Sequence, residues 1–247
     1  MKQRLGRIHC VIPDVQDRPD VAKDHLRWIG NYIAEKQPDV IVQIGDFSDM
    51  VSLNSYTVGQ ASAEGTRYSE DVKSTKQAMG KLLAPIRKCR RYEPEMHLTL
   101  GNHEDRITRE AQSNPRLIGT ISVDDLGYRD FGWKVHPFLS VARIDGIEYS
   151  HYFVSGSMGR PVSSAAALLR TRQQSCVMGH VQRIDMAIHP YTQRIALFSG
   201  ICYQHDEAYL TEQGNATKRG IWMLNEVQNG TFDPMFVSIG FLKKRYS

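Results

Sequence analysis

At 247 residues, 41% hydrophobic and 23% charged, the chain can bury a sizeable core and has the polarity of an ordinary soluble globular protein. A formal net charge of +4 suits an anionic substrate such as a phosphate ester but falls far short of a histone-like surplus. No apolar run approaches the length of a membrane span, and repeats, low-complexity tracts and linkers are absent, so a single domain over residues 1–247 is expected. Cys10, Cys89, Cys176 and Cys202 are scattered with no CxxC pair, which predicts reduced thiols and a cytoplasmic setting rather than a cysteine-based zinc site. The apolar run before Pro13 and Asp14 is too short for a signal peptide.

In chain order, Ile8 to Pro13 reads as a buried strand, with Asp14 and Gln16 in the loop after it. Val21 to Gln37 reads as a helix presenting Leu26, Ile29 and Ile33 on one face. Asp39 to Ile44 is a second apolar strand, so the alternation predicts a parallel βαβ unit. Residues 51–67 are polar and rich in Ser, Gly and Thr, which predicts an excursion over the surface. Ser69 to Arg91 is a helix that Pro85 is expected to kink or split. Met96 to Leu100 is a third strand. Beyond Trp133, Asp145-Gly146 and Asn229-Gly230 signal hairpins, Ser163 to Gln173 a short helix and Ser175 to Met178 a strand. The second half is expected to be mainly antiparallel, giving two face-to-face sheets with helices outside.

Five segments share one design, an apolar strand followed by a polar cluster at or just beyond its end. They are Pro13-Asp14-Val15-Gln16, Gly45-Asp46-Phe47-Ser48-Asp49, Gly101-Asn102-His103-Glu104, Ser150-His151 and Gly179-His180-Val181-Gln182. Sites in α/β sheets assemble beyond the carboxyl ends of strands. Glycine before the polar residue allows a sharp turn there. Oxygen and imidazole donors at such a place suit Mn, Mg, Zn, Fe or Ni rather than a thiolate-preferring ion.

The ordered set resembles the calcineurin-like metallophosphoesterases, whose pattern is DxH, GDxxD, GNH(D/E), a lone His and then GHxH. The resemblance runs from about Ile8 to Gln182 and is greatest to phage- or prokaryote-encoded members. It implies an α/β fold, a four-layer αββα sandwich of two mixed β-sheets flanked by helices, with two metal ions at the carboxyl ends of the strands. The implied reaction is hydrolysis of phosphomonoesters or phosphodiesters through a metal-activated water. Carried over by position, Asp46 would bridge the ions, Asn102, His151 and His180 would complete one site, and Asp14 would begin the other. His103 would protonate the leaving oxygen or contact phosphate, together with Asn102, and Asp49 would orient its imidazole. Arg106 is a candidate phosphate ligand, or else a partner of Glu104 or Asp105.

Two positions depart from the family pattern, and both belong to the site begun by Asp14: Gln16 replaces the histidine of DxH, and Gln182 the last histidine of GHxH. An amide oxygen is a harder, weaker ligand than imidazole, so that second site is expected to be weak and to favour Mn or Mg. Manganese is the expected activator. Two other readings stand beside this one. A DNA- or RNA-processing nuclease of the same fold would want a basic, aromatic-bearing track, with Arg67, Lys73, Arg106, Arg109 and Arg116 as contributors. A catalytically impaired metal-binding scaffold would have no need of the leaving-group acid. The Lys243-Lys244-Arg245 run reads as a solvated tail, and His205 as part of a surface loop. Sequence sets no oligomeric state, and no membrane partner is expected.

Overall fold

Side-chain alternation in the strands sets the layering of the computed structural model, which describes residues 6–207 and 211–247. Residues 1–5, on which the signal-peptide expectation partly rests, lie outside the described residues. The first half runs β1 (Arg7–Ile12), α1 (Asp24–Lys36), β2 (Val40–Gln43), α2 (Tyr68–Arg87), β3 (Glu95–Thr99), α3 (Asp105–Ser113) and β4 (Lys134–His136). Then come β5 (Ala142–Ile144), β6 (Ile147–Tyr149), the short pair β7 (Val154–Ser155) and β8 (Arg160–Pro161), α4 (Ala165–Arg172) and β9 (Cys176–Met178). The chain ends with β10 (Ile184–Ile188), β11 (Ile195–Ser199), α5 (Glu212–Asn215), β12 (Gly220–Gln228), β13 (Thr231–Ser238) and α6 (Ile239–Tyr246).

One sheet has the order β13-β12-β1-β2-β3-β4, the other β10-β11-β9-β6-β5. Both are mixed: β1 to β4 are parallel while β12 and β13 are antiparallel, and β6, β9 and β11 are parallel while β5 and β10 are antiparallel. In β1, Cys10 and Ile12 pack under α1, α2 and α6, whereas Val11 faces the other sheet. In β9, Cys176 and Met178 pack under α4, whereas Val177 faces inward. Val11, Val42, Leu224, Ile147, Val177 and Leu197 form the dry seam between the sheets. Each such side chain stabilises the fold by roughly 1.5–3 kcal/mol when fully buried. The order of layers is helix, sheet, sheet, helix. At the helix layer, Gly30 lets α1 and α2 touch: a Cβ there would lie 2.2 Å from the Leu82 carbonyl oxygen.

Both hairpin signals form the turns they predict. Asp145 and Gly146 have φ of 49° and 80°, Asn229 and Gly230 of 50° and 78°, the paired positive φ of a type I′ turn. The two turns also meet, with the Gly230 N–H donating to the Asp145 carbonyl at 2.9 Å, so the sheets are tied at the end where β1 and β6 begin.

The second half is mainly antiparallel, as expected, in the pairs β5–β6, β7–β8, β10–β11 and β12–β13, and within it α4 forms a crossover that returns β9 parallel to β6. Two expectations need correction. Pro85 does not split α2 midway; it sits in the last turn, and the helix stops two residues later at Arg87, since the ring removes the bond to the carbonyl four residues back. Lys243-Lys244-Arg245 is no tail but the last turn of α6, where cations suit the helix dipole and Arg245 pairs with Glu35 at 2.8 Å. Among the described residues, no helix is long and apolar enough to cross a membrane.

His25, in the first turn of α1, is 3% exposed with both ring nitrogens lacking a hydrogen-bond partner. Burial, aided by His205 and Lys23, pushes its pKa down to about 3. A histidine lowered in the fold from about 6.5 stabilises above that value and ceases to do so as pH falls. Unfolding by urea is therefore expected to become easier between pH 6.5 and 3, and His25→Phe to lose less stability over that window than the parent chain.

Candidate metal centre

The parallel strands of both sheets end along one edge of the sandwich, and the polar residues that follow them converge there. Asp14 follows β1, Asp46 follows β2, Asn102 follows β3, His151 follows β6 and His180 follows β9. The glycines before three of them are required by crowding. A Cβ on Gly101 would lie 2.0 Å from Asp46 Oδ1, one on Gly179 2.4 Å from Asp14 Oδ1, and one on Gly45 2.5 Å from His151 Nδ1. Only Gly45, with φ of 98°, also needs the freedom to turn that the sequence suggested for all of them.

The donors are held from behind and left facing one another. His151 Nδ1 donates to the Ile44 carbonyl at 2.9 Å, which fixes the tautomer and turns Nε2 towards Asn102 Oδ1 at 3.0 Å and Asp46 Oδ2 at 3.2 Å. His180 Nδ1 meets the same Asn102 oxygen at 2.8 Å. One ligand atom from each of Asp46, His151 and His180 lies within 4.8 Å of the others. The His180 N–H contacts both Asp14 carboxylate oxygens, at 3.3 and 3.2 Å, and the N–H groups of Val15 and Gln16 donate to the Asp46 carbonyl at 3.0 and 2.8 Å. The strand ends of the two sheets are thus laced together.

Electrostatics divide the carboxyls. Burial pushes Asp46 up, but the facing His103 and His151 outweigh it and hold the group below the usual carboxylate range. Asp14 is raised, chiefly by burial, with Asp46 adding to it against His151. Burial would lower His151, yet the charge of Asp46 lifts it to about 9, while burial and His151 push His180 down to about 4. A divalent cation fits this donor set: carboxylate, amide and imidazole atoms converge, and both polar atoms of the buried Gln16 amide lack any hydrogen-bond partner. Gln16, Asp46, Met50, His180 and Gln182 all take positive φ, between 44° and 65°, strain that concentrates at functional sites.

Beside this cluster, His103 Nδ1 bonds Asp49 Oδ1 at 2.7 Å, and its Nε2 lies 3.7 Å from Asp46 Oδ2. Burial would lower the imidazole, but Asp46 and Asp49 raise it. Arg106 does not pair with Glu104 or Asp105. Its Nη1 donates to the Asp49 carbonyl at 2.6 Å and approaches Oδ1 at 3.2 Å. Arg18, which has no motif, stands 3.6 Å from Asp49 Oδ2 and 3.5 Å from Glu207 Oε2. These groups, with Asn102, His180 and Gln182, line a cavity of about 800 Å³. The 51–67 excursion supplies its wall through Val51, Asn54, Tyr56, Thr57, Gln60 and Ser62. Of the loop around His205, it is Glu207 that lines the cavity, while His205 bonds Glu207 at 2.8 Å and stacks on Tyr203. Arg106 reaches the cavity and Arg109 donates to the Asn102 carbonyl at 3.1 Å; Arg67, Lys73 and Arg116 do not line it.

The residue that sequence reasoning passed over is Glu104. Its fully buried carboxylate accepts the N–H groups of Asp46 (3.1 Å), Phe47 (2.7 Å), Ser48 (3.0 Å) and Gly101 (2.9 Å), and the Tyr128 hydroxyl at 3.1 Å. It clamps the turn after β2 to the turn after β3.

Two mixed sheets between helix layers, with a buried Asp/Asn/His cluster at the strand ends, define a layered α/β protein with a candidate metal centre. No family model matches the chain. It is similar to the Gene 54 protein of Mycobacterium phage D29, at 33% identity over 96 residues, covering 39% of this chain and 35% of that protein. With the Gene 54 protein of Mycobacterium phage L5 the identity is 27% over 188 residues, covering 74% of this chain and 71% of the other. The match thus spans about a third of the D29 protein's length, and the phage-like character read from the motifs accords with both relatives. Among solved structures, a dimetal phosphatase from Danio rerio is similar at a TM-score of 0.47 and 11% identity, covering 96% of this chain and 100% of that one. The TT1561 protein of Thermus thermophilus is similar at 0.44 and 6%, covering 95% and 99%.

Removing the clamp strands four buried N–H groups. Glu104→Ala is expected to lower the unfolding free energy by roughly 3–5 kcal/mol, the range for stripping one side of a buried charged network. Glu104→Gln, which still accepts through one oxygen, should lose less. Urea denaturation of the three proteins reads the order directly.

Proposed function

We propose that this chain is a metal-dependent phosphoesterase. The observation that carries the proposal is the convergence of Asp46, His151 and His180 ligand atoms within 4.8 Å, beside an imidazole that a buried carboxylate orients at 2.7 Å. Asp46, Asn102, His151 and His180 would hold one divalent ion. Asp14, Gln16 and Gln182 would serve a second, weaker one, for which the unpartnered amide of Gln16 is a waiting oxygen donor. When bound, such ions supply Lewis acidity towards phosphate oxygens and acidify a water nucleophile.

The chain's own groups supply the rest. His103, whose imidazole Asp46 and Asp49 raise against the effect of burial, is the proton donor to the departing oxygen. Asp49 fixes the ring through Nδ1, leaving Nε2 to face the reacting phosphate. Arg106 and Arg18 hold Asp49 from two sides, and Arg106 adds positive charge to the cavity that receives the phosphate. Asn102, whose Oδ1 meets both His151 and His180, would help hold the ion and would contact substrate.

Metal content by mass spectrometry is expected to give about one tightly held ion per chain, with turnover of p-nitrophenyl phosphate or its diester rising as Mn is added. The double change Gln16→His and Gln182→His should tighten the second ion in a calorimetric titration. Two tightly held zinc ions in the unchanged chain would remove the weak-site idea.

The proton-donor role predicts a dependence on the leaving group. His103→Asn should lower kcat for an alkyl phosphate ester by about 10²–10⁴-fold, and for a p-nitrophenyl ester, whose leaving group needs no proton, by much less. Equal losses on both would assign His103 to binding alone.

A further inference from the structure

Aromatic rings stand near the cluster in two separate places, one against its histidines and one in the cavity wall. Tyr152 lies outside the cavity lining and packs its ring 4.7 Å from that of His180 and 5.9 Å from that of His151, with Phe138 edge-on at 5.6 Å. The half-buried Tyr152 ring is therefore held in place while part of it meets solvent. Arg109, its side chain 55% exposed, is anchored to Asn102, the residue that bridges the same two histidines. Inside the cavity, Tyr56 is 85% exposed. Its turn is fixed by Asn54 Oδ1, which accepts the Tyr56 N–H at 3.1 Å, and by Gln60, which donates to the Tyr56 carbonyl at 2.9 Å. The wall around it offers the neutral polar groups of Asn54, Thr57, Gln60 and Ser62, while Arg18 and Arg106 bring positive charge to its base.

A phosphomonoester has one organic group and needs one flank. A phosphodiester has an organic group on each side of phosphorus, and in a single strand each carries a flat base that is free to stack. Bases in a duplex are already stacked on one another. Exposed rings beside cationic groups are the elements that hold single strands without regard to sequence, and amides and hydroxyls can pair with base edges.

We propose that the substrate is a single-stranded nucleic acid, its bases stacking on Tyr56 and Tyr152 with the intervening phosphodiester over the cluster. This rests on the phosphoesterase reading above for the chemistry, but not for the stacking. In the reaction, water oxygen forms the new bond to phosphorus and one P–O ester bond breaks. One water proton is lost to solvent, and the departing alkoxide takes a proton from His103, which regains one from the water. The products are a free hydroxyl and a phosphate monoester.

The test uses the full chain with Mn, a fluorescein-labelled phosphorothioate octathymidylate that resists hydrolysis, and an abasic phosphorothioate octamer of equal charge, compared by anisotropy. The octathymidylate is expected to bind at least about tenfold more tightly than the abasic strand. Tyr56→Ala and Tyr152→Ala should each cut octathymidylate affinity at least about fivefold, and Tyr152→Phe, which keeps the ring, should retain it. Equal binding of the abasic strand, or undiminished binding by the exposed-site variant Tyr56→Ala, overturns the proposal. Hydrolysis of bis-p-nitrophenyl phosphate in parallel separates the two readings. Hydrolysis without base-dependent binding refutes the nucleic-acid substrate and leaves the phosphoesterase standing. Base-dependent binding with no ester hydrolysed supports the stacking site and refutes the phosphoesterase.

Discussion

The geometry of the centre depends on one buried carboxylate. Glu104 receives N–H groups from the turn after β2 and from the turn after β3, so Asp46 and Asn102 cannot move independently. A carboxylate with several backbone donors is a strong, directional anchor in a low-dielectric interior. Around it the backbone accepts strain at Asp46, which sits at φ of 50°, while Gly45 takes 98° freely for want of a Cβ. The hydrogen bonds to Glu104 offset what the turn would otherwise cost, and the same clamp keeps the His103 N–H on Asp46 Oδ1 at 3.0 Å.

The strand-end residues were legible because each motif is local. A glycine and its polar neighbour are adjacent in sequence, and the apolar run before them marks the strand that aims them. In the first half β1, α1, β2, α2 and β3 were legible from periodicity, within a few residues at each end, whereas α3 and the three-residue β4 drew no assignment. Glu104's role was hidden, although the residue lies in the conspicuous Gly101-Asn102-His103-Glu104 run, because its partners are backbone N–H groups and any sequence has those. Arg18 and Glu207 meet only through tertiary folding, 189 positions apart. Parallel pairing of β6 and β9 was hidden for a different reason: strands of three residues carry too little alternation to reveal a crossover.

The excursion at 51–67 illustrates how a weakly patterned segment acquires a purpose from its position. Its composition says surface, and its turns are indeed exposed. Yet its base is pinned, with the Ser52 N–H donating to the buried Asp71 carboxylate at 2.9 Å, and that pin stands it over the His103–Asp49 pair. Polar, turn-rich chain tolerates change at low energetic cost, so the wall of the cavity is free to vary in shape while the floor is locked.

The seam between the sheets gives the centre a mechanical character. Asp14, Asp46 and Asn102 come from one sheet, His151 and His180 from the other, and at the opposite end the Asp145-Gly146 and Asn229-Gly230 turns already tie the sheets together. An ion held by donors from both sheets would be a rivet added at an end already laced by hydrogen bonds, opposite the end that the turns sew. Metal affinity and resistance to unfolding would then be one quantity seen from two sides, and a chelator would act on this chain as a denaturant that works from a single edge.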